Sequence, residues 1–435
     1  MEQKNKKINM VTLGCSKNVV DSEYLMKQLD INGWKVVIDS NDPSVDVAII
    51  NTCGFIADAK EESIDTILSF VEAKRKGLIS KVFVMGCLSQ RYKAELQHEI
   101  PDVDGYFGVD QLADILQSLN TSYSFSYANR RIISTPKHYA YLKISEGCSW
   151  GCSFCAIPLI RGKHISKSIP ELVDEAQWLA KEGVKELILI AQDSTFYGKD
   201  IYGERRLSEL VGKLSEIDGI NWIRIHYTYP SGFPLELLKV MGENPKVCKY
   251  LDIPFQHISD RMLKAMRRGI NKKQTIELIG RIRREIPDIA IRTTLLVGHP
   301  GEIQQDFEEL VDFVKNFKFD RLGVFTYSHE EGTHSATLTD DVLLDIKQQR
   351  AQQIMELQQE ISFENNQKRI GKVLKVIIDR EEGGYFIGRT EFDSPEVDQE
   401  VIFVKPHGSK LVPGDIVKCL IKSAEDYDLM GEIIK

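Results

Sequence analysis

Three cysteines stand close together in the run Cys148-Ser-Trp-Gly-Cys152-Ser-Phe-Cys155, a C-x3-C-x2-C spacing that directly follows an apolar stretch ending near Ile144. A four-iron cluster takes one thiolate per iron, so three cysteines leave one iron open to a reactant, which is more than electron transfer alone requires. A structural zinc site would normally use four protein ligands, and no fourth cysteine lies near this run. Gly147 and Gly151 give the backbone the freedom to wrap an inorganic core.

A second trio is dispersed. Cys15, Cys53 and Cys87 each closely follow an apolar run that reads as a strand, and each has a glycine neighbour, Gly14, Gly54 or Gly86. A lone buried cysteine is usually a small hydrophobe. Three at equivalent strand ends of one parallel sheet would instead emerge along the edge where open α/β folds bind ligands, which points to a second cluster. Cys248 and Cys419 lack this setting and are assigned to packing.

The elements that must position these residues can be read from periodicity. Up to about Asn129, strands (Ile8 to Leu13, Val45 to Ile50, Lys81 to Met85) alternate with helices (Ser22 to Asn32, Ala57 to Lys76), as in a doubly wound parallel sheet. From Tyr139 the strand-helix alternation repeats six times, predicting a partial (β/α)6 barrel with its chemistry at the C-terminal strand ends. Its strands are Tyr139 to Ile144, Leu187 to Ala191, Trp222 to Tyr227, Tyr250 to Ile253, Ala290 to Val297 and Arg321 to Phe325. One helix is opened by Ser168 as cap with Pro170 in its first turn, and the last runs from Val342 to Asn366. Beyond Gly371, short strands punctuated by Gly and Pro predict a small antiparallel barrel of a kind that often binds oligonucleotides. The expectation is an α/β multidomain chain divided at 1–129, 134–365 and 366–435.

Composition narrows the class. The chain has 435 residues, 42% hydrophobic and 28% charged, with a formal charge of -8 and a pI near 5.7. The overall field does not favour nonspecific attraction to phosphate backbones. No apolar run approaches a membrane span, and Met1 to Lys7 is polar and basic with no signal-type segment after it, so a cytoplasmic location is expected. Eight cysteines in that compartment indicate metal or redox chemistry over disulfides.

The C-x3-C-x2-C motif with Phe154 before its last cysteine resembles the radical S-adenosylmethionine superfamily. The three-part organisation is similar to its methylthiotransferase family, whose last unit is an OB-like TRAM domain. The resemblance implies two [4Fe-4S] clusters and S-adenosylmethionine. The Cys148, Cys152 and Cys155 cluster would generate a deoxyadenosyl radical, and the Cys15, Cys53 and Cys87 cluster would present sulfur to the substrate. It also implies cofactor contacts by Phe154, by Gln192 in Leu189-Ile190-Ala191-Gln192-Asp193, and by Gly298 and Glu302 in Val297-Gly298-His299-Pro300-Gly301-Glu302. Gly298 and Gly301 equally suit an ordinary strand-to-helix turn.

Within the family, Gly14-Cys15-Ser16-Lys17-Asn18 with Asp21-Ser22-Glu23, Tyr141 to Cys148, and Gly388-Arg389-Thr390 with Ser394-Pro395-Glu396-Val397-Asp398 resemble the branch that methylthiolates an aspartate of small-subunit ribosomal protein S-twelve. Residues 366–435 carry 11 Lys plus Arg against 13 Asp plus Glu, a net of -2, which suits a basic protein partner better than RNA. A flavodoxin or ferredoxin as electron donor and a monomeric chain are expected. The competing readings are methylthiolation of an adenosine in transfer RNA and a noncatalytic iron-sulfur assembly factor. Gln256 and His257 end another strand and fit either a cavity wall or a structural role. The basic run Arg261, Lys264, Arg267, Arg268, Lys272 and Lys273 is expected to be a solvated helical face.

Overall fold

Strands covered on both faces must be apolar along their whole length, and this requirement picks out the middle strands of two parallel sheets. In the computed structural model, which describes residues 6–40 and 45–434, Val47–Thr52 and Glu186–Ile190 are buried at every position. Most of the polar leader Met1 to Lys7 lies outside the described residues.

The first sheet contains β1 (Lys7–Thr12), β2 (Lys35–Ile38), β3 (Val47–Thr52), β4 (Lys81–Gly86) and β5 (Gly105–Tyr106), all parallel, in the order β2-β1-β3-β4-β5. Helices α1 (Ser16–Ile31), α2 (Ala57–Arg75), α3 (Cys87–Glu99) and α4 (Leu112–Ser118) accompany it, and two separate apolar layers form around the sheet. The strand order reverses between β1 and β3, so the crevice of the topological switch opens at their C-terminal ends, where Cys15 and Cys53 follow. Helix α1 starts at Ser16, not at Ser22 as its apolar period suggests. Its first turns are polar yet buried, with Lys17, Asn18, Ser22 and Glu23 shielded by neighbouring elements.

The second sheet has the order β13-β12-β11-β10-β9-β6, again all parallel. It begins with β6 (Tyr139–Lys143), after which a short antiparallel pair, β7 (Ser145–Glu146) and β8 (Ile165–Ser166), brackets the cysteine loop and α5 (Ile157–Arg161). Then come α6 (Ile169–Lys181), β9 (Glu186–Ile190), α7 (Lys199–Tyr202), α8 (Leu207–Ser215), β10 (Trp222–Ile225), α9 (Glu236–Glu243) and β11 (Val247–Asp252). The remainder is α10 (Asp260–Ala265), α11 (Lys272–Glu285), β12 (Ala290–Val297), α12 (Gln304–Phe317), β13 (Arg321–Thr326) and α13 (Leu344–Gln367). Ser168 caps α6 in a reciprocal capping box with Glu171, with Pro170 in the first turn. Among the described residues no helix is long and apolar enough to cross a membrane.

The last five strands, β14 (Val373–Glu382), β15 (Tyr385–Thr390), β16 (Val401–Val404), β17 (Ile416–Ala424) and β18 (Leu429–Ile434), close into a barrel. Its pairs are antiparallel except β16 with β18, which run parallel and complete the circuit. Cys419 is buried inside this barrel, and Cys248 is buried where the barrel meets the second sheet.

That junction covers the early part of the strands of the six-stranded sheet. Ile377 and Phe392 pack on Trp222, Tyr250 and Ala290, and a polar latch surrounds them. Glu186 Oε1 pairs with Arg224 Nε at 2.8 Å and its Oε2 with Arg389 Nη1 at 2.5 Å. Asp398 takes Arg292 at 2.6 Å and the Tyr250 hydroxyl at 2.8 Å, Arg321 pairs with Asp393, and Tyr139 donates to Glu396 at 2.9 Å. The stretch Gly388 to Asp398 is therefore devoted to seating the barrel. Its acidic residues mostly face the sheet, not a partner.

Two histidines are locked neutral by burial. His226, beside Arg224 and Arg292 and 3.0 Å from Ser394 Oγ, is held well below the usual histidine range. His257, whose Nδ1 accepts from the N–H groups of Ile258 and Ser259, is pushed down to about 3. The unfolded chain protonates both near 6.5 while the folded chain does not, so stability is present above that pH and is lost as the pH falls. Urea unfolding of the metal-free protein is expected to show a loss of about 1.4 kcal/mol per site between pH 7.5 and 5.5. An unchanged midpoint would contradict the neutral assignment.

Candidate functional site

The dispersed trio converges at the switch crevice. Cys15 caps α1 after β1, Cys53 follows β3, and Cys87 opens α3 directly after β4. Gly14 has a φ of +87°, and a Cβ there would meet Cys53 Cβ at 2.7 Å, so only glycine lets the first thiol's loop lie against the second. A Cβ on Gly54 would likewise meet the α3 backbone at Leu88 at 2.7 Å. Cys15 is exposed, Cys53 half-buried and Cys87 buried. Burial pushes the Cys87 thiol up to about 12, opposed by the Arg161 guanidinium. Burial also raises Cys53, and the neighbouring Cys15 adds to the rise.

The compact trio lies on the loop between β7 and α5, just past the C-terminal end of β6. Burial pushes Cys148 up to about 11 and Cys155 up to about 12. Loading such thiols with metal must therefore release protons. Cys152 Sγ lies 3.3 Å from the Tyr229 hydroxyl and accepts from Arg268 Nη1 at 3.2 Å. Trp150 stacks on Tyr229 with centroids 4.2 Å apart and donates to Asp193 at 2.6 Å, which fixes the middle of the loop. Among the described residues, no three His, Cys, Asp or Glu side chains draw together tightly enough to hold a single ion. Each trio offers thiols as donors, the donor type that holds iron-sulfur clusters.

One cavity of about 230 Å³ lies between segments that adjoin the two sets in sequence. On one side it is lined by Phe55 and Ile56, just after Cys53, and on the other by Phe154, the neighbour of Cys155. Gln256, Thr294, Leu296, Tyr327 and Glu330 complete most of its wall. Gln256 stands at φ +72°, outside the range that side chains usually adopt, and its backbone bridges to β12 through Thr294 and Leu296.

Arg161 joins the two halves. Its guanidinium donates to Cys87 Sγ at 3.3 Å, Asn18 at 2.6 Å, Asp21 at 3.1 Å and Glu146 at 2.9 Å. Lys143 bridges the same Asp21 and Glu146. Behind them, buried Arg131 pairs with Glu23 and Glu175, and Tyr24 donates to Glu175 at 2.6 Å. On the far side of the cavity, Lys60 and Arg91 both bind Glu330, at 3.0 and 2.5 Å. These ion pairs hold the first sheet against the second at a set separation.

Of the residues expected to touch the cofactor, Phe154 lines the cavity and packs on Met262, Met266, Leu296 and Tyr327. Gln192 donates to Glu146 at 2.7 Å, and its buried Oε1 accepts from none of the described residues, which leaves an acceptor for a bound molecule. Gly298 lies against the Lys347 side chain of α13. Glu302 accepts from the N–H of Gly298 at 2.6 Å and from Arg350 at 2.9 Å, and burial pushes its carboxyl up to about 7. Both residues are thus occupied within the turn after β12. His257 is buried, its Nδ1 accepting from the backbone and its Nε2 without a hydrogen-bond partner among the described residues, whereas Gln256 is a cavity wall.

Arg268 corrects the sequence reading of a solvated basic face. Helix α10 ends at Ala265, Arg267 turns through φ +56°, and Arg268 is directed inward onto Cys152 and the Pro254 carbonyl. Arg261 and Lys272 of the same run form ion pairs with Asp306 and Glu309. Arg161, Tyr229 and Glu330 carry no sequence signal, because only long-range pairing marks them.

Three family profiles match: an uncharacterized protein family, UPF0004, over residues 7–108, the radical SAM superfamily over 142–314, and the TRAM domain over 370–434. The fold is shared with the radical S-adenosylmethionine methyltransferase TsrM from Kitasatospora setae, solved with cobalamin and a [4Fe-4S] cluster bound. The TM-score is 0.57 at 14% identity, covering 88% of this chain and 80% of that one. The cobalamin-dependent enzyme OxsB, solved with aqua-cobalamin and S-adenosylmethionine, matches with a TM-score of 0.52 at 13% identity over 82% and 62% of the two chains. Among sequence relatives, the ribosomal protein uS12 methylthiotransferase RimO of Christiangramia forsetii is 55% identical over 429 residues, 99% of this chain and 94% of that one. The protein of the same name from Flavobacterium johnsoniae is 54% identical over 431 residues, 99% and 98% of the two chains. With such identity along nearly its whole length, this chain belongs to the RimO family of uS12 methylthiotransferases within the radical SAM superfamily.

Proposed function

We propose that the protein inserts a methylthio group at the β-carbon of an aspartate in ribosomal protein uS12. The observation that carries this reading is a single cavity walled both by Phe55 and Ile56, which follow Cys53, and by Phe154, which precedes Cys155, a space for one substrate position between the two thiol-bearing segments. Cys148, Cys152 and Cys155 would hold one [4Fe-4S] cluster and Cys15, Cys53 and Cys87 the other, with S-adenosylmethionine as the cofactor of the first. When bound, these groups supply one-electron cleavage of S-adenosylmethionine and the sulfur to be transferred.

The chain's own residues prepare that site. Arg268 and Tyr229 hold the Cys152 sulfur, and Trp150 stacks behind it. Phe154 and Gln192 contact S-adenosylmethionine, while Gly298 and Glu302 shape the turn that supports it. Phe55, Leu296 and Tyr327 shield the target carbon from water. Residues 1–129 carry the auxiliary cluster, 134–365 the radical chemistry, and 366–435 a substrate-holding TRAM unit. The protein works in the cytosol as a monomer and takes electrons from a flavodoxin or ferredoxin.

Mass spectrometry of uS12 and of transfer RNA nucleosides from a deletion strain tests the assignment. The expected result is loss of the methylthio mass from uS12 with the nucleosides unchanged. Loss from the nucleosides instead would reassign the enzyme to RNA.

A further inference from the structure

Residues 55–57 and 329–331 form a sill with a depression on each side. Phe55, Ile56 and Glu330 face the cavity just described, whereas Ala57, His329 and Glu331 face a groove of about 760 Å³ between α2 and α3. The groove floor is apolar, made by Ile64, Leu68, Leu88, Tyr92, Leu96 and Ile100, and Leu68 is 46% exposed. Its rim is acidic: Glu61, Asp65, Glu95, Glu99 and Glu331 are all exposed. Lys60 alone among the lining residues is a Lys or Arg, and its ammonium is taken by Glu330 at 3.0 Å. Glu61, Asp65 and Glu95 enter no ion pair with any described residue.

We propose that this groove seats the stretch of substrate chain next to the modified aspartate, a basic segment with an apolar anchor. The inference rests on the reading that the substrate is uS12, and it adds the place where that protein is gripped. Ribosomal proteins bind RNA phosphates and so present clustered Lys and Arg. Such a segment lays its aliphatic stems on the apolar floor and its charged heads against the carboxylate rim. The two depressions are walled by successive residues of the same two segments, so an extended chain leaving the cavity over the sill enters the groove directly. A second copy of this protein would bring like charge to like charge, and an acidic electron donor would be repelled in the same way.

The test uses the full-length, anaerobically reconstituted protein with purified uS12. Two variants are compared with the wild type: the triple substitution Glu61→Gln, Asp65→Asn, Glu95→Gln, and Leu68→Lys. Cleavage of S-adenosylmethionine without uS12 reports an intact core and is expected to be unchanged in both. The KM for uS12 should rise about tenfold in each with kcat preserved, and its salt dependence should flatten in the triple variant. A triple variant with the wild-type KM would overturn the groove while leaving the substrate assignment standing. Wild-type protein unable to modify uS12 would overturn the substrate assignment and this occupant together. Concentration-dependent dimerisation abolished by the triple substitution would assign the groove to a second copy and overturn the proposal.

Discussion

Alanine at Cys148, Cys152 or Cys155 is expected to reduce S-adenosylmethionine cleavage to background, a loss of more than about a thousandfold. Alanine at Cys15, Cys53 or Cys87 is expected to leave cleavage intact and stop sulfur insertion. The two outcomes differ because the trios are held by different elements: a loop past β6 carries the first, and the ends of β1, β3 and β4 carry the second. On the proposed assignment of one four-iron cluster to each set, iron per chain should fall from about eight atoms to about four in either class. The readouts are 5'-deoxyadenosine released and methylthio product formed, both by mass spectrometry, alongside iron analysis. A Cys53→Ala protein that still methylthiolates uS12 would reverse the division of labour.

Glu186→Gln is expected to destabilise the protein by about 3–5 kcal/mol, because it strips the negative charge from between two buried guanidiniums. Glu186 is fully buried, with Arg224 on one oxygen and Arg389 on the other. Asp379 still reaches Arg389 at 3.1 Å, so Arg224 should bear most of the loss. The measurement is the urea midpoint of the purified variant. The latch acts on the early part of the strands, beside Cys248 but away from the two cysteine trios at the strand ends, so the fraction that stays folded should retain normal S-adenosylmethionine cleavage. A midpoint within 1 kcal/mol of the wild type would mean the latch contributes little.

The parallel strands were legible because runs such as Val47–Thr52 and Glu186–Ile190 are buried throughout and so carry a strong apolar signal. The two cysteine sets were legible for a related reason: position just past a strand is a local property. Helix α1 was cut short by its polar start, since periodicity assigns polar residues to solvent and cannot see that Asn18 and Glu23 meet arginines far along the chain. On the same ground Arg161 carried no signal and Arg268 was assigned to a solvated face. The net charge of the terminal barrel misled in part. Asp379, Asp393, Glu396 and Asp398 are engaged with His138, Arg321, Tyr139 and Arg292, and composition alone cannot separate such internal partners from an outward acidic face. The short strand β2, only partly buried along its four residues, carried too little pattern to read.

The stretch Gly388 to Asp398 joins pieces of sequence that look modular. Removing everything after α13 would strip the cover from Trp222, Tyr250 and Arg224 and leave their charge and aromatic surface facing water. A shortened gene would therefore yield an aggregating remnant instead of a smaller catalyst. Inheritance of the tail and the catalytic body as a single unit is a requirement of solubility before it is one of substrate choice.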